Sequence, residues 1–121
     1  MTNEQWLAEA KECYPGWYNI IQRLDKHMNV IFASGYTIDQ IKEKFGTLRF
    51  YWTAPAGART MDLKDAQISV TNVERESART CMQCGEAGTL HTHVGWHCTL
   101  CELCFALQYP LQTKDIDDNI A

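Results

Sequence analysis

Five of the six cysteines of this chain fall within the stretch from Cys81 to Cys104, CMQCGEAGTLHTHVGWHCTLCELC. They form one C-x2-C pair, a glycine-bearing spacer, and then Cys98, Cys101 and Cys104 at every third position. Two thiolates three residues apart, on either side of a tight turn, can reach one metal ion. A second such hook facing the first completes a tetrahedral site for Zn²⁺. The glycine after Cys84 allows the first turn to close. Hook geometry assigns Cys81, Cys84, Cys101 and Cys104 as ligands of one structural Zn²⁺ per chain. Cys98 competes with the last pair, and His91, His93 and His97 are weaker substitutes.

The second chemically suggestive stretch is YTIDQIKEKFGTLRFYW, from Tyr36 to Trp52. Lys42, Lys44 and Arg49, with Phe50, Tyr51 and Trp52, make the only basic-aromatic concentration in the chain. Such a mixture can stack bases and neutralise phosphates, or grip another protein through Lys42, Lys44, Arg49, Tyr51 and Trp52. It is also what a half-buried strand with charged outward positions looks like. Signatures of catalysis are missing: the chain has no Ser-His-Asp order, phosphate loop or deaminase pattern. A nuclease centre built on a zinc finger needs a further His or Asn on the last helix, and CELCFALQY offers neither. Four thiolates close the coordination sphere, so such a zinc does not activate water. The expectation is a protein that is not an enzyme.

These residues need elements to position them. The sequence has 121 residues, 45% hydrophobic and 21% charged, which fits one globular unit or one core with a small metal-stabilised appendage. Thr2 and Gln5 form a capping box for a first helix with Trp6, Leu7, Ala10, Cys13 and Tyr14 on its apolar face, stopped by Pro15-Gly16. Cys13 reads there as a buried thiol. A second helix carries Trp17, Ile20, Ile21, Leu24, Met28 and Ile31 and ends at Gly35, with His27 at its surface. Leu48 to Thr53 is a strand. The segment Ile38 to Phe45 reads either as a short helix capped by Thr37 and Gln40, or as the first strand of a hairpin turning at Phe45-Gly46. After the loop APAGAR, Met61 to Arg79 forms a third helix with Leu63, Ala66, Val70, Val73 and Ser77 inward. It leads into a knuckle, TCMQCG, a hairpin of TLHTHV and GWHCTL, and a helix, CELCFALQY, carrying the last two ligands in its first turn. That is the order of a treble-clef finger.

The expected fold is thus α+β: helices plus a small antiparallel sheet, with a treble-clef-like finger near the carboxyl end. Residues 1–79 form the helical and strand unit, 80–110 the zinc module, and 111–121 a flexible acidic tail. Charge is uneven in a chain of net −4. Residues 1–60 hold seven Lys/Arg against six Asp/Glu, and residues 61–121 hold four against nine. The acidity of the metal-bearing half disfavours a finger devoted to phosphates. No apolar run spans a membrane, no secretory leader opens the chain, and the cysteines read as metal ligands of a reducing cytoplasm.

IKEKFGTLRFYW, then ESARTCMQCGEAG, then GWHCTLCELC resemble a family of small uncharacterised zinc-binding proteins of bacteria and their phages. Its pattern is K-E-K-F-G-x-L-R-F-Y followed by C-x-x-C-G and G-W-x-x-T-L-C-x-x-C or C-x-x-H. The resemblance covers roughly residues 14 to 105. It implies that the position of Cys98 need not be cysteine, which favours Cys101 and Cys104. It also implies a phage or mobile-element setting, with host transcription or defence machinery as the target. Nucleic-acid binding is the alternative, and a treble-clef nuclease a distant third.

Overall fold

A computed structural model of the chain describes residues 1–93 and 96–109, apart from the His93 side chain. The expected tail, residues 111–121, lies outside the described residues. Among the described residues, four α-helices and two antiparallel hairpins make an α+β fold. Helix α1 spans Asn3–Cys13 and is capped as its sequence requires: Thr2 Oγ1 accepts from the Gln5 amide at 3.1 Å, and Gln5 Oε1 from the Thr2 amide at 2.7 Å. Its inner stripe is Trp6, Leu7, Ala10 and Tyr14. Cys13 is exposed rather than buried, because it falls at the margin of that stripe in the last turn. A 3₁₀ turn, Pro15–Trp17, leads into α2, Tyr18–Ile31, whose Ile20, Ile21, Leu24 and Met28 are buried.

The segment that the spacing left open is a strand. β1, Thr37–Lys44, pairs antiparallel with β2, Thr47–Thr53, and Thr37 and Gln40 cap no helix. The pairing shifts by one residue between Ile38 and Gln40. This bulge puts Ile38 and Ile41 on the same face although they are three residues apart. Ile38, Ile41, Leu48 and Phe50 therefore all enter the core. Helix α3, Thr60–Ser77, packs on α2 and β2 through Ala66, Val70, Val73 and Ser77. Leu63, in its first turn, is exposed, so the inner stripe starts one turn later than its spacing suggests.

A two-stranded sheet has two free edges, and helices cover both. On the β1 side, Asn3 Oδ1 accepts from the Ile38 amide at 2.8 Å and the Tyr14 hydroxyl from the Glu43 amide at 3.1 Å. On the β2 side, Ser77 Oγ accepts from the Leu48 amide and a Glu74 carboxylate oxygen from the Phe50 amide, both at 2.9 Å. Side chains from α1 and α3 thus do what further strands would otherwise do.

The second hairpin, β3, Thr89–His93, with β4, Trp96–Leu100, precedes α4, Glu102–Gln108. It has its own small apolar cluster of Cys81, Cys98 and Leu100, flanked by Met82, Trp96 and Phe105. Two contacts fix it to the helical body. Gly16 lies against the knuckle so closely that a Cβ there would sit 2.0 Å from the Cys81 carbonyl oxygen and 2.6 Å from the Gly85 nitrogen. Its amide donates to the Met82 carbonyl at 2.8 Å, and the Trp17 indole donates to the Thr80 carbonyl at 2.8 Å. At the other contact, the Gly46 carbonyl accepts from Thr99 Oγ1 at 2.8 Å, in a buried position. Among the described residues no helix is long and apolar enough to cross a membrane.

Candidate metal centre and basic face

The knuckle forms because a Thr80–Ala87 bridge closes the chain around residues 81–86. The Cys81 amide donates to the Glu86 carbonyl at 2.7 Å, and the Gly85 amide to the Cys81 carbonyl at 2.9 Å. Gly85 takes φ +86°, as the tight turn requires. The facing hook is set by α4. Cys101 is its N-cap, and its sulfur accepts from the Cys104 amide at 3.4 Å. The sulfurs of Cys81, Cys84, Cys101 and Cys104 all lie within 4.8 Å of one another, and four such cysteines can hold a metal ion.

Cys98 is buried on β4, outside this group. Burial comes first among the causes that push its thiol up, with the nearby Glu43 carboxylate adding to it. Of the histidines weighed as substitutes, the His93 side chain lies outside the described residues, and His91 and His97 make other contacts. His91 stacks on Phe105 with ring centres 4.0 Å apart and places Nε2 3.3 Å from the Leu100 carbonyl oxygen. His97 meets Phe45 edge-on at 5.8 Å.

The electrostatics within the cluster are split. Burial of Cys81 opposes its ionisation. Hydrogen bonds from the backbone of Cys101, Cys84 and Gln83, joined by the Cys84 side chain, outweigh that and bring the thiol down to about 6. The hydrogen bond with the Cys101 side chain, then burial, pushes Cys104 up to about 12. The fold thus eases ionisation of Cys81 and opposes that of Cys104, and a bound cation would favour the thiolate form of all four sulfurs.

The expected binding surface is divided by the strand period. Lys42 and Arg49 are paired across the hairpin and face outward, as do Lys44 and Tyr51. Trp52 faces the other way and packs on Phe32, ring centres 5.8 Å apart. It supports the core and leaves the outward face to Lys42, Lys44, Arg49 and Tyr51. None of these three cations forms an ion pair among the described residues. Two carboxylates beside Arg49 are engaged elsewhere: Asp39 accepts from Thr53 Oγ1 at 2.6 Å and Glu74 from the Phe50 amide. They line, with Arg49, Tyr51 and Gln67, a groove of about 510 Å³ beside β2. The Lys42 ammonium lies 5.7 Å from the Tyr51 ring centre, and that of Lys44 5.6 Å from Phe45.

Spacing pointed to the hooks and the cations, but not to Phe45 as part of this face. The sequence did hold a signal: two residues between strands, the second glycine, make a turn with an exposed tip. Comparison with protein-family models, with curated proteins and with solved structures returns no match.

Proposed function

We propose that the chain is a zinc-stapled module that acts by binding another protein, without catalysis of its own. A tetrahedral zinc with bonds of about 2.3 Å to sulfur sets its ligand atoms about 3.8 Å apart. The Cys84 and Cys101 sulfurs lie 3.7 Å apart, and all four sulfurs lie within 4.8 Å of one another, a spacing that suits a tetrahedral thiolate-bound ion such as zinc. Four cysteines leave it no open position for water, so its part is structural.

One observation carries the binding role: Lys42, Lys44 and Arg49 stand on one outward face, with no ion pair among the described residues, beside an exposed Tyr51. A module that had only to stay soluble has no need to gather like charges around an aromatic ring. Such residues dominate the energetics of interfaces. In the phage or bacterial setting that the resemblance implies, the partner belongs to host machinery in the cytoplasm, such as a transcription or defence complex. Nucleic acid is the second reading, favoured by the same cations.

Retention of proteins from a bacterial lysate on the immobilised chain, identified by mass spectrometry, supplies the partner. Binding to it is then measured for Lys42→Glu with Arg49→Glu. We expect the double variant to melt within a degree or two of wild type, since surface changes cost about 0.5 kcal/mol or less, and to lose capture. Tight binding of random DNA or RNA at physiological salt, lost in that variant with a steep salt dependence, would defeat the protein-binding reading.

A further inference from the structure

Phe45 and Gly46 are the two turn residues between Lys44 and Thr47, and both have positive φ, +54° and +82°. Such a turn matches the twist of its strands but is the natural place for Asn-Gly. Phenylalanine has no side-chain group to favour the left-handed region, and its ring makes that conformation unfavourable. Burial does not compensate. Phe45 is 62% exposed, touched at one edge by His97 and overlain by the Lys44 ammonium. A large apolar ring in a strained conformation at an exposed tip serves neither the turn nor the core. Strain of this kind gathers at sites of function.

The tip is also held in place. The Gly46 amide donates to the Glu43 carboxylate at 2.6 Å, and its carbonyl accepts from buried Thr99. A Cβ on Gly46 would meet Leu90 at 2.5 Å and the Cys98 nitrogen at 3.0 Å. The turn is therefore seated on the finger, and the ring projects from a preorganised mount.

We infer that Phe45 is the anchor by which this chain grips an apolar stretch of its protein partner, with carboxylates flanking that stretch meeting Lys42, Lys44 and Arg49. The inference rests on the protein-binding reading and names the partner's chemistry. Four features select this occupant. The capped strand edges leave no row of free amides to extend with a partner strand. Like charges oppose a second copy meeting the same face. The net charge of −4 disfavours a phosphate backbone as the partner. An aromatic anchor desolvated against apolar surface and rimmed by polar contacts is the arrangement that concentrates binding energy.

The test uses the full-length, zinc-loaded chain and a phage-displayed library of random dodecapeptides. Expected are peptides with an apolar or aromatic centre flanked by Asp or Glu. A synthetic copy of the best should bind Phe45→Asn at least about thirtyfold more weakly than wild type. Phe45→Asn should melt at or above the wild-type temperature, because asparagine suits the turn. A fall in melting temperature would show that the ring holds the fold and would overturn the inference. Equal affinity of wild type and variant for an acidic peptide would overturn it too, while leaving the protein-binding reading intact. Recovery of no acidic peptide, with tight binding of a fluorescein-labelled thymidine oligonucleotide at physiological salt, would overturn both.

Discussion

At the scale of single residues, the metal hooks were the most legible part of the chain. A C-x2-C hook is a local device, and spacing narrows the candidates to Cys81 and Cys84 with two of Cys98, Cys101 and Cys104. Cys98 could be separated from Cys101 only through its setting. Its place on a strand puts it in the buried cluster with Cys81 and Leu100, with its backbone nitrogen 3.0 Å from where a Cβ of Gly46 would lie. Elemental analysis should find one zinc per chain in protein purified without added metal. Cys84→Ser and Cys101→Ser should lose it, together with the folded finger, since structural zinc contributes on the order of 10–16 kcal/mol in isolated fingers. Cys98→Ser should keep the metal and melt only slightly lower. Release of zinc by Cys98→Ser, with retention in Cys101→Ser, would refute the assignment.

At the scale of elements, the long helices were readable from their apolar stripes, and β1 was ambiguous for a definable reason. The bulge adds one residue between Ile38 and Ile41, so two core positions of a strand acquire the three-residue spacing of a helix. Thr37 and Gln40 completed the resemblance, and only the pairing with β2 resolves it. Phe45, four residues after Ile41, extended the helical spacing, while the hairpin reading placed it in the turn where it sits. Long-range contacts left no trace in any local pattern, and Gly16 is the clearest case. It reads as a helix stop, yet its lack of a side chain is what lets α1 and α2 approach the knuckle. Backbone lies on the far side, so nothing there can move aside cheaply. Gly16→Ala should lower stability by about 1–3 kcal/mol or more, as overpacking does. Thermal unfolding of the zinc-loaded chain checks this, and an unchanged midpoint would mean that the contact is slack.

At the scale of the whole molecule, the helical body and the finger share two joints, one at Gly16-Trp17 and one at Gly46-Thr99. Removing zinc should therefore be felt well beyond the finger. Trp17 is fully buried and bonded through its indole to Thr80, the residue just before the first ligand. Chelation should red-shift tryptophan emission and lower the melting temperature of the helical body; an unchanged melting temperature would show two independent units. The same joint has a consequence during synthesis. Sixty-three positions separate Trp17 from Thr80, and a ribosome adding about 5–20 residues per second takes roughly 3–13 s to cover them. For that interval the nascent amino-terminal half holds an indole with no acceptor and a glycine cradle with nothing in it. The finger is made after the helical body, so a metal ion bound there would complete the folding of residues translated seconds earlier.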